Sequence, residues 1–231
     1  MSERVVEAWM TTNRGMRTSV LISVTAVLGA IAAVISFMKL EIPFPILYWL
    51  KVDAAEIPTV VAFFLFGPLP GVLTATVHWL VLNTNTTFPV IGPLMKFSAV
   101  ISMILGFQIG TAIYQRLLTR RGVGAVILSM SLFGSIVRVA VMTVANFILI
   151  GVLFPFFLDE AGVLLSRVGL ASASSLEILF WTLLITGFYN IFHVIVSIIP
   201  TYLAVPALAK LLPKRIAVSP WLYSLSKKMD R

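Results

Sequence analysis

The chain has 231 residues, of which 59% are hydrophobic and 11% charged, with a net charge of +8 at neutral pH. A mean hydropathy of +1.03 excludes an ordinary soluble domain and makes this a membrane protein. It has no cysteine, which excludes disulfides, thiol nucleophiles and thiolate metal sites, and the basic excess has no aromatic platform or motif for nucleic acid beside it.

The first apolar window, 18–38, is too long for a secretory leader and has no small-residue cleavage site after it, so it reads as a retained span. Within it Ala26, Gly29, Ala30 and Ala33 recur at three- and four-residue spacing. Such a small-residue stripe lets another helix approach closely, either inside the chain or on a second membrane protein. Next comes FPILYWLKVDAAEIP, residues 44–58, which sets Lys51, Asp53 and Glu56 among aromatic and proline side chains. Residues 52–83 hold two apolar runs of about a dozen residues around GPLPG (67–71). Each run reaches only about 18 Å at 1.5 Å per residue, so the region forms two short tilted helices or a re-entrant hairpin.

A span over 91–114 follows, with Lys96 near its start, where snorkelling to headgroups is the plain reading. The window 123–157 carries Arg138 and Asn146 about 80° apart on one broad helical face. Arg138 calls for an interior acid or carbonyl as partner, because a charge in a span is costly. Asn146 suits interhelical hydrogen bonding or ligand reading equally. The last window, 176–211, places Asn190 and His193 one turn apart on a shared face. His78 is assigned no role.

Basic residues cluster at Arg4, Arg14 and Arg17; at Arg116, Arg120 and Arg121; and from Lys210 through Arg231. The positive-inside rule puts all three clusters in the cytoplasm, which requires an even number of crossings between them. The predicted architecture is all-α, with six transmembrane helices and both termini cytoplasmic: a segment 1–17, a membrane domain 18–212 and a basic tail 213–231. Segments 39–53, 83–90 and 158–175 then lie outside. The helix ends bearing Asp53, Lys96, Asn146, Asn190 and His193 emerge on that same side. With Phe44, Tyr48, Trp49 and Phe88 nearby, they describe an apolar pocket holding a few orienting polar groups, suited to a flat, polar-edged small molecule.

Catalysis finds little support. Ser135 and His193 fall toward opposite halves of the bilayer, outside the reach a nucleophile and its base require. Two histidines without an HExxH pattern or a cysteine leave no metalloprotease or thiol inventory. The reading is a non-enzyme with no metal and no cofactor.

The alanine stripe, the segment FPILYWLKVDAAEIPTVVAFFLFGPLPGVL, MTVANF and FYNIFHVIVSI together resemble the substrate-binding S component of energy-coupling factor (ECF) vitamin transporters, most closely the riboflavin branch. The resemblance implies a riboflavin ligand near the outer surface under the loop between helices one and two, and a location in the cell membrane. It implies docking through the small-residue face onto a transmembrane coupling (T) subunit that carries two ABC ATPases. It also implies substrate contacts from Asn146 in helix five, Asn190 in the last motif and Asp53 at the end of the first loop. His193 stands where the riboflavin branch has lysine, and Lys96 where an uncharged amide is expected. Either the cationic donor has moved between helices, or the ligand is another vitamin or a flavin relative. On this reading residues 44–49 form a lid, and Lys51, Asp53 and Glu56 anchor its base at the outer interface.

Overall fold

A computed structural model describes residues 18–84, 89–117, 122–170, 174–211 and 220–227. The basic clusters at 4–17, 120–121 and 214–215, and Phe88, lie outside the described residues. Helix α1 is Thr18–Phe37; a two-stranded ribbon follows, β1 Glu41–Pro43 and β2 Lys51–Asp53, antiparallel with Ile42 opposite Val52. A 3-10 turn, Ala54–Glu56, leads into α2, Ile57–Phe66, and α3, Pro68–Leu82. Then come α4, Ile91–Leu117; α5, Val123–Asn146, continued by a π-helical segment Phe147–Leu153; α6, Phe156–Arg167; α7, Ser175–Leu211; and α8, Trp221–Lys227.

Among the described residues four helices are long and apolar enough to cross a membrane: Thr18–Phe37, Ile91–Arg116, Val123–Leu153 and Ser175–Leu211. Helices α2 and α3 are shorter, about 15 Å and 22 Å at the helical rise, against roughly 30 Å of hydrocarbon. Gly67 separates them at φ 95, a left-handed conformation open to glycine and costly for other residues, and Pro68 starts α3 where its missing N–H costs nothing. The chain then turns back on itself: a Cβ at Gly71 would lie 3.1 Å from the Phe63 Cβ.

Every residue of α2 from Pro58 to Phe66 is buried. A helix that is apolar all round belongs at the centre of its bundle, and α2 is packed by α1, α3, α7 and α8. At its far end the Phe63 ring meets Phe107 at 5.4 Å and Trp221 of α8 at 5.0 Å. Leu222 and Leu225 of α8 are buried in the same cluster, so α8 fills space beneath the short hairpin.

Helices α4 and α5 meet through GFQIG (106–110), a small-xxx-small pattern the sequence reading did not use. A Cβ on Gly106 would sit 2.4 Å from the Phe133 carbonyl, and one on Gly110 2.6 Å from the Ser129 carbonyl. Ser129 Oγ donates to the Gly110 carbonyl at 2.8 Å, so close backbone approach and an interhelical hydrogen bond replace hydrophobic drive.

Two expectations are corrected. The small-residue stripe of α1 is divided between interior and exterior: Gly29 and Ala33 are buried within the chain, with the Gly29 Cα facing Val77 of α3 so closely that a Cβ would come within 2.6 Å. Ala26 and Ala30 face outward. The window 123–157 holds one span, Val123–Leu153, that ends earlier than expected, because the backbone leaves the helix at Phe154 (ψ 65) and restarts at Phe156 as α6. That helix buries Ala161 and Leu165, one turn apart, inside a segment expected to lie outside the membrane.

Candidate functional site

The site lies at the ribbon end of the bundle, where α2 begins. Asp53 caps the 3-10 turn by accepting from the Ala55 N–H at 2.9 Å, an ordinary use of a short carboxylate at a helix start. Its other oxygen pairs with the Lys96 ammonium from the first turns of α4. One turn on, Glu56 is only 1% exposed. The expectation that it anchors the lid at the interface is therefore corrected: the 3-10 turn points its carboxylate into the bundle, toward α5.

There it meets Arg138, also 1% exposed. The Arg138 Nη1 donates to Glu56 Oε2 at 2.7 Å and Nη2 to Oε1 at 3.1 Å, a bidentate fork. Its Nε donates to the Asn190 side-chain oxygen at 2.9 Å. Nη1 also faces the Met103 sulfur at 3.6 Å, and Nη2 faces His193 Nδ1 at 2.8 Å. A guanidinium has five N–H donors, and all five find an acceptor. Removing two charges from water costs several kcal/mol per ion, which only saturated hydrogen bonding and close Coulombic contact offset. Arg138 thus ties together α2, α5 and α7.

Asn190 donates its amide to the Thr186 carbonyl at 2.8 Å, leaving its oxygen aimed at Arg138. His193 Nε2 lies 3.3 Å from the Asp53 carbonyl, joining this cluster to the Asp53–Lys96 pair. Ser197 Oγ donates to the His193 carbonyl at 2.9 Å and lies 3.5 Å from Glu56 Oε2. Tyr189 reaches the ribbon, donating its hydroxyl to the Lys51 carbonyl at 2.6 Å.

The loop 44–50 closes over this cluster. Leu47 is fully buried against Leu165 of α6 and Ile185 of α7. Phe44 meets the edge of the Tyr189 ring at 5.7 Å, and Trp49 packs near Phe157 at 6.0 Å. Tyr48 donates its hydroxyl to Glu160 of α6, and that hydrogen bond to a carboxylate pushes the phenol pKa up. Lys51 pairs with Glu41 across the ribbon. Beside the cluster, Lys96 lines a cleft with His78, Trp79, Pro93 and Phe97; Trp79 and Phe97 stack at 5.1 Å, and His78 Nε2 bonds Ser36 Oγ at 2.7 Å.

Of the residues predicted from sequence, Asp53, Lys96, Asn190 and His193 converge, and Phe44 and Tyr48 sit in the loop that covers them. Asn146 is buried at 6% exposure, yet its amide donates to the Met142 carbonyl of its own helix at 2.7 Å, outside the ion-paired group. Tyr189 and Ser197 were missed. Their spacing of four residues on either side of His193 was the available signal, since it puts all three on one face.

Over residues 21–218 the chain matches the family described as "ECF transporter, substrate-specific component". The Riboflavin transporter RibU of Staphylococcus aureus (strain TCH60) is 36% identical over 80 residues, which are 35% of this chain and 42% of that protein. The chain thus aligns with less than half of that relative's length. A solved structure described as "Structure and mechanism of the S component of a bacterial ECF transporter" superposes with a TM-score of 0.60 at 25% identity, covering 86% of this chain and 100% of that one. Four spans of apolar helix, an aromatic loop shut over a buried polar cluster, and a family match across most of the sequence agree. This chain belongs to the substrate-specific components of ECF transporters, as a multi-pass protein of the cell membrane.

Proposed function

We propose that the protein binds riboflavin on the outer face of the membrane and delivers it inward together with a T subunit and two ABC ATPases. The observation that carries this reading is the buried polar cluster of Arg138, Asn190 and His193 under a loop of aromatic residues. A flat heterocycle with polar edges is held by apolar walls and a few fixed hydrogen-bonding groups. The partial match to a riboflavin transporter supports the choice of vitamin. Phe44, Tyr48, Asp53, Lys96, Asn146, Asn190 and His193 form the substrate site, with residues 44–49 as its lid.

In this reading α2 and α3 each cross where the bilayer thins around them, giving six crossings with both termini cytoplasmic and the ribbon outside. The T subunit docks on the outward face of α1 around Ala26 and Ala30. An Ala30→Leu variant then retains vitamin binding and loses uptake by cells; normal uptake removes this interface.

The vitamin assignment is tested by purifying the full chain from its membrane and recording its absorption spectrum. A bound flavin gives a yellow sample with flavin bands. A colourless sample that fails to quench added riboflavin fluorescence overturns the assignment in favour of another vitamin.

A further inference from the structure

We infer that Arg138 is a positioning residue that holds His193 as a neutral imidazole with its proton on Nε2, so that the site offers its ligand an uncharged N–H donor. This deepens the substrate-site reading given above and rests on it only for the identity of the ligand.

The geometry fixes the tautomer. Arginine has donors and no acceptor, and its Nη2 lies 2.8 Å from His193 Nδ1. A proton on Nδ1 would face the guanidinium proton across that distance, so Nδ1 accepts and the ring proton resides on Nε2. The competing arrangement, Nδ1–H donating to Glu56 Oε1, spans 3.3 Å toward an oxygen that already accepts from Arg138. The Tyr189 hydroxyl, 3.4 Å from Nδ1, spends its own proton on the Lys51 carbonyl. A doubly protonated ring would set two cations against each other, and the charge of Glu56 is already matched by Arg138.

The Nε2–H that results has one partner among the described residues, the Asp53 carbonyl at 3.3 Å, longer than the usual 2.7–3.2 Å range for such a bond. Asp53 ends the ribbon that carries the lid. A ligand acceptor that replaces this carbonyl gains a better-placed donor. The fitting ligand atom is uncharged, a carbonyl oxygen or a ring nitrogen of a heterocycle, because Arg138, the cation touching His193, is neutralised by Glu56. An anionic group finds no net charge at this point.

The test uses the full-length protein in lipid nanodiscs with ring-15N-labelled histidine. The chain has two histidines, so a His78→Gln variant assigns the spectrum. The inference predicts the Nε2–H pattern for His193 in the wild type and in Glu56→Gln, and a shift toward Nδ1–H in Arg138→Lys, which keeps the charge and loses the fixed Nη2 donor. Riboflavin titrated by fluorescence quenching should bind about tenfold more weakly to Arg138→Lys. That loss should shrink sharply when Arg138→Lys is made in a His193→Gln background, since coupled residues do not add. An Nδ1–H or doubly protonated His193 in the wild type overturns the inference, as does an unchanged pattern in Arg138→Lys. Should Arg138→Lys fail to fold, the wild-type and Glu56→Gln spectra still decide. A wild type that keeps the Nε2–H pattern and binds no riboflavin sinks the vitamin assignment while upholding the tautomer.

Discussion

The two ends of helix α2 are held in opposite ways. At the α8 end, Phe63 and Phe64 pack against Phe107 and Trp221, contacts without direction that tolerate exchange of one apolar shape for another. At the ribbon end, ten residues or fewer away, Glu56 and Arg138 are held by hydrogen bonds in which every guanidinium donor has an acceptor. The first end determines whether the hairpin stands; the second determines which polar atoms face loop 44–50.

The largest predicted effect breaks the polar end. Glu56→Ala leaves a buried guanidinium unpaired and should cost about 3–5 kcal/mol, seen as a large fall in melting temperature of the detergent-solubilised protein. The double variant Glu56→Met/Arg138→Met should recover most of that loss. Equal destabilisation by both would show that shape, not charge, holds this end.

Phe63→Ala breaks the apolar end. Lipid chains are as apolar as the core, so the transfer contribution is small and the cavity contribution dominates, giving about 2 kcal/mol. The comparison requires riboflavin affinity to stay nearly constant in this variant; a large loss of affinity would show that the two ends are coupled.

Asn146→Ala sharpens the boundary of the site. Because the Asn146 amide is satisfied within its own helix, its contribution to ligand binding should be about 1 kcal/mol, below that of His193. Fluorescence titration of the two variants side by side checks the order. Tyr48→Phe should have the smallest effect. Its hydrogen bond to Glu160 is half exposed, and exposed polar contacts contribute little, so affinity should change by less than about 1 kcal/mol while riboflavin dissociates faster as the lid loosens.

Much of the fold was legible because bilayer thickness converts apolar length into spans, and GPLPG marks its own turn at Gly67 and Pro68. The break before α6 was hidden by the continuous apolar run on either side of Pro155. In the site, the sequence shows that Arg138 needs a partner, since a charge within a span demands one. It does not show that the partner is Glu56, 82 residues earlier, because Glu56 sits beside a polar loop and reads as an interfacial residue. Only the 3-10 turn after Asp53 rotates it inward. The stripe on α1 misled in a similar way: spacing identifies small residues, whereas Val77 decides which of them face the interior.

The central claim is that the buried cluster under the lid is a riboflavin site, and quenching of riboflavin fluorescence by purified wild-type and His193→Ala protein tests it most directly. The account predicts saturable quenching by the wild type and affinity lowered by about 1–3 kcal/mol in the variant, with the fold retained. Identical titration curves for the two proteins would contradict it.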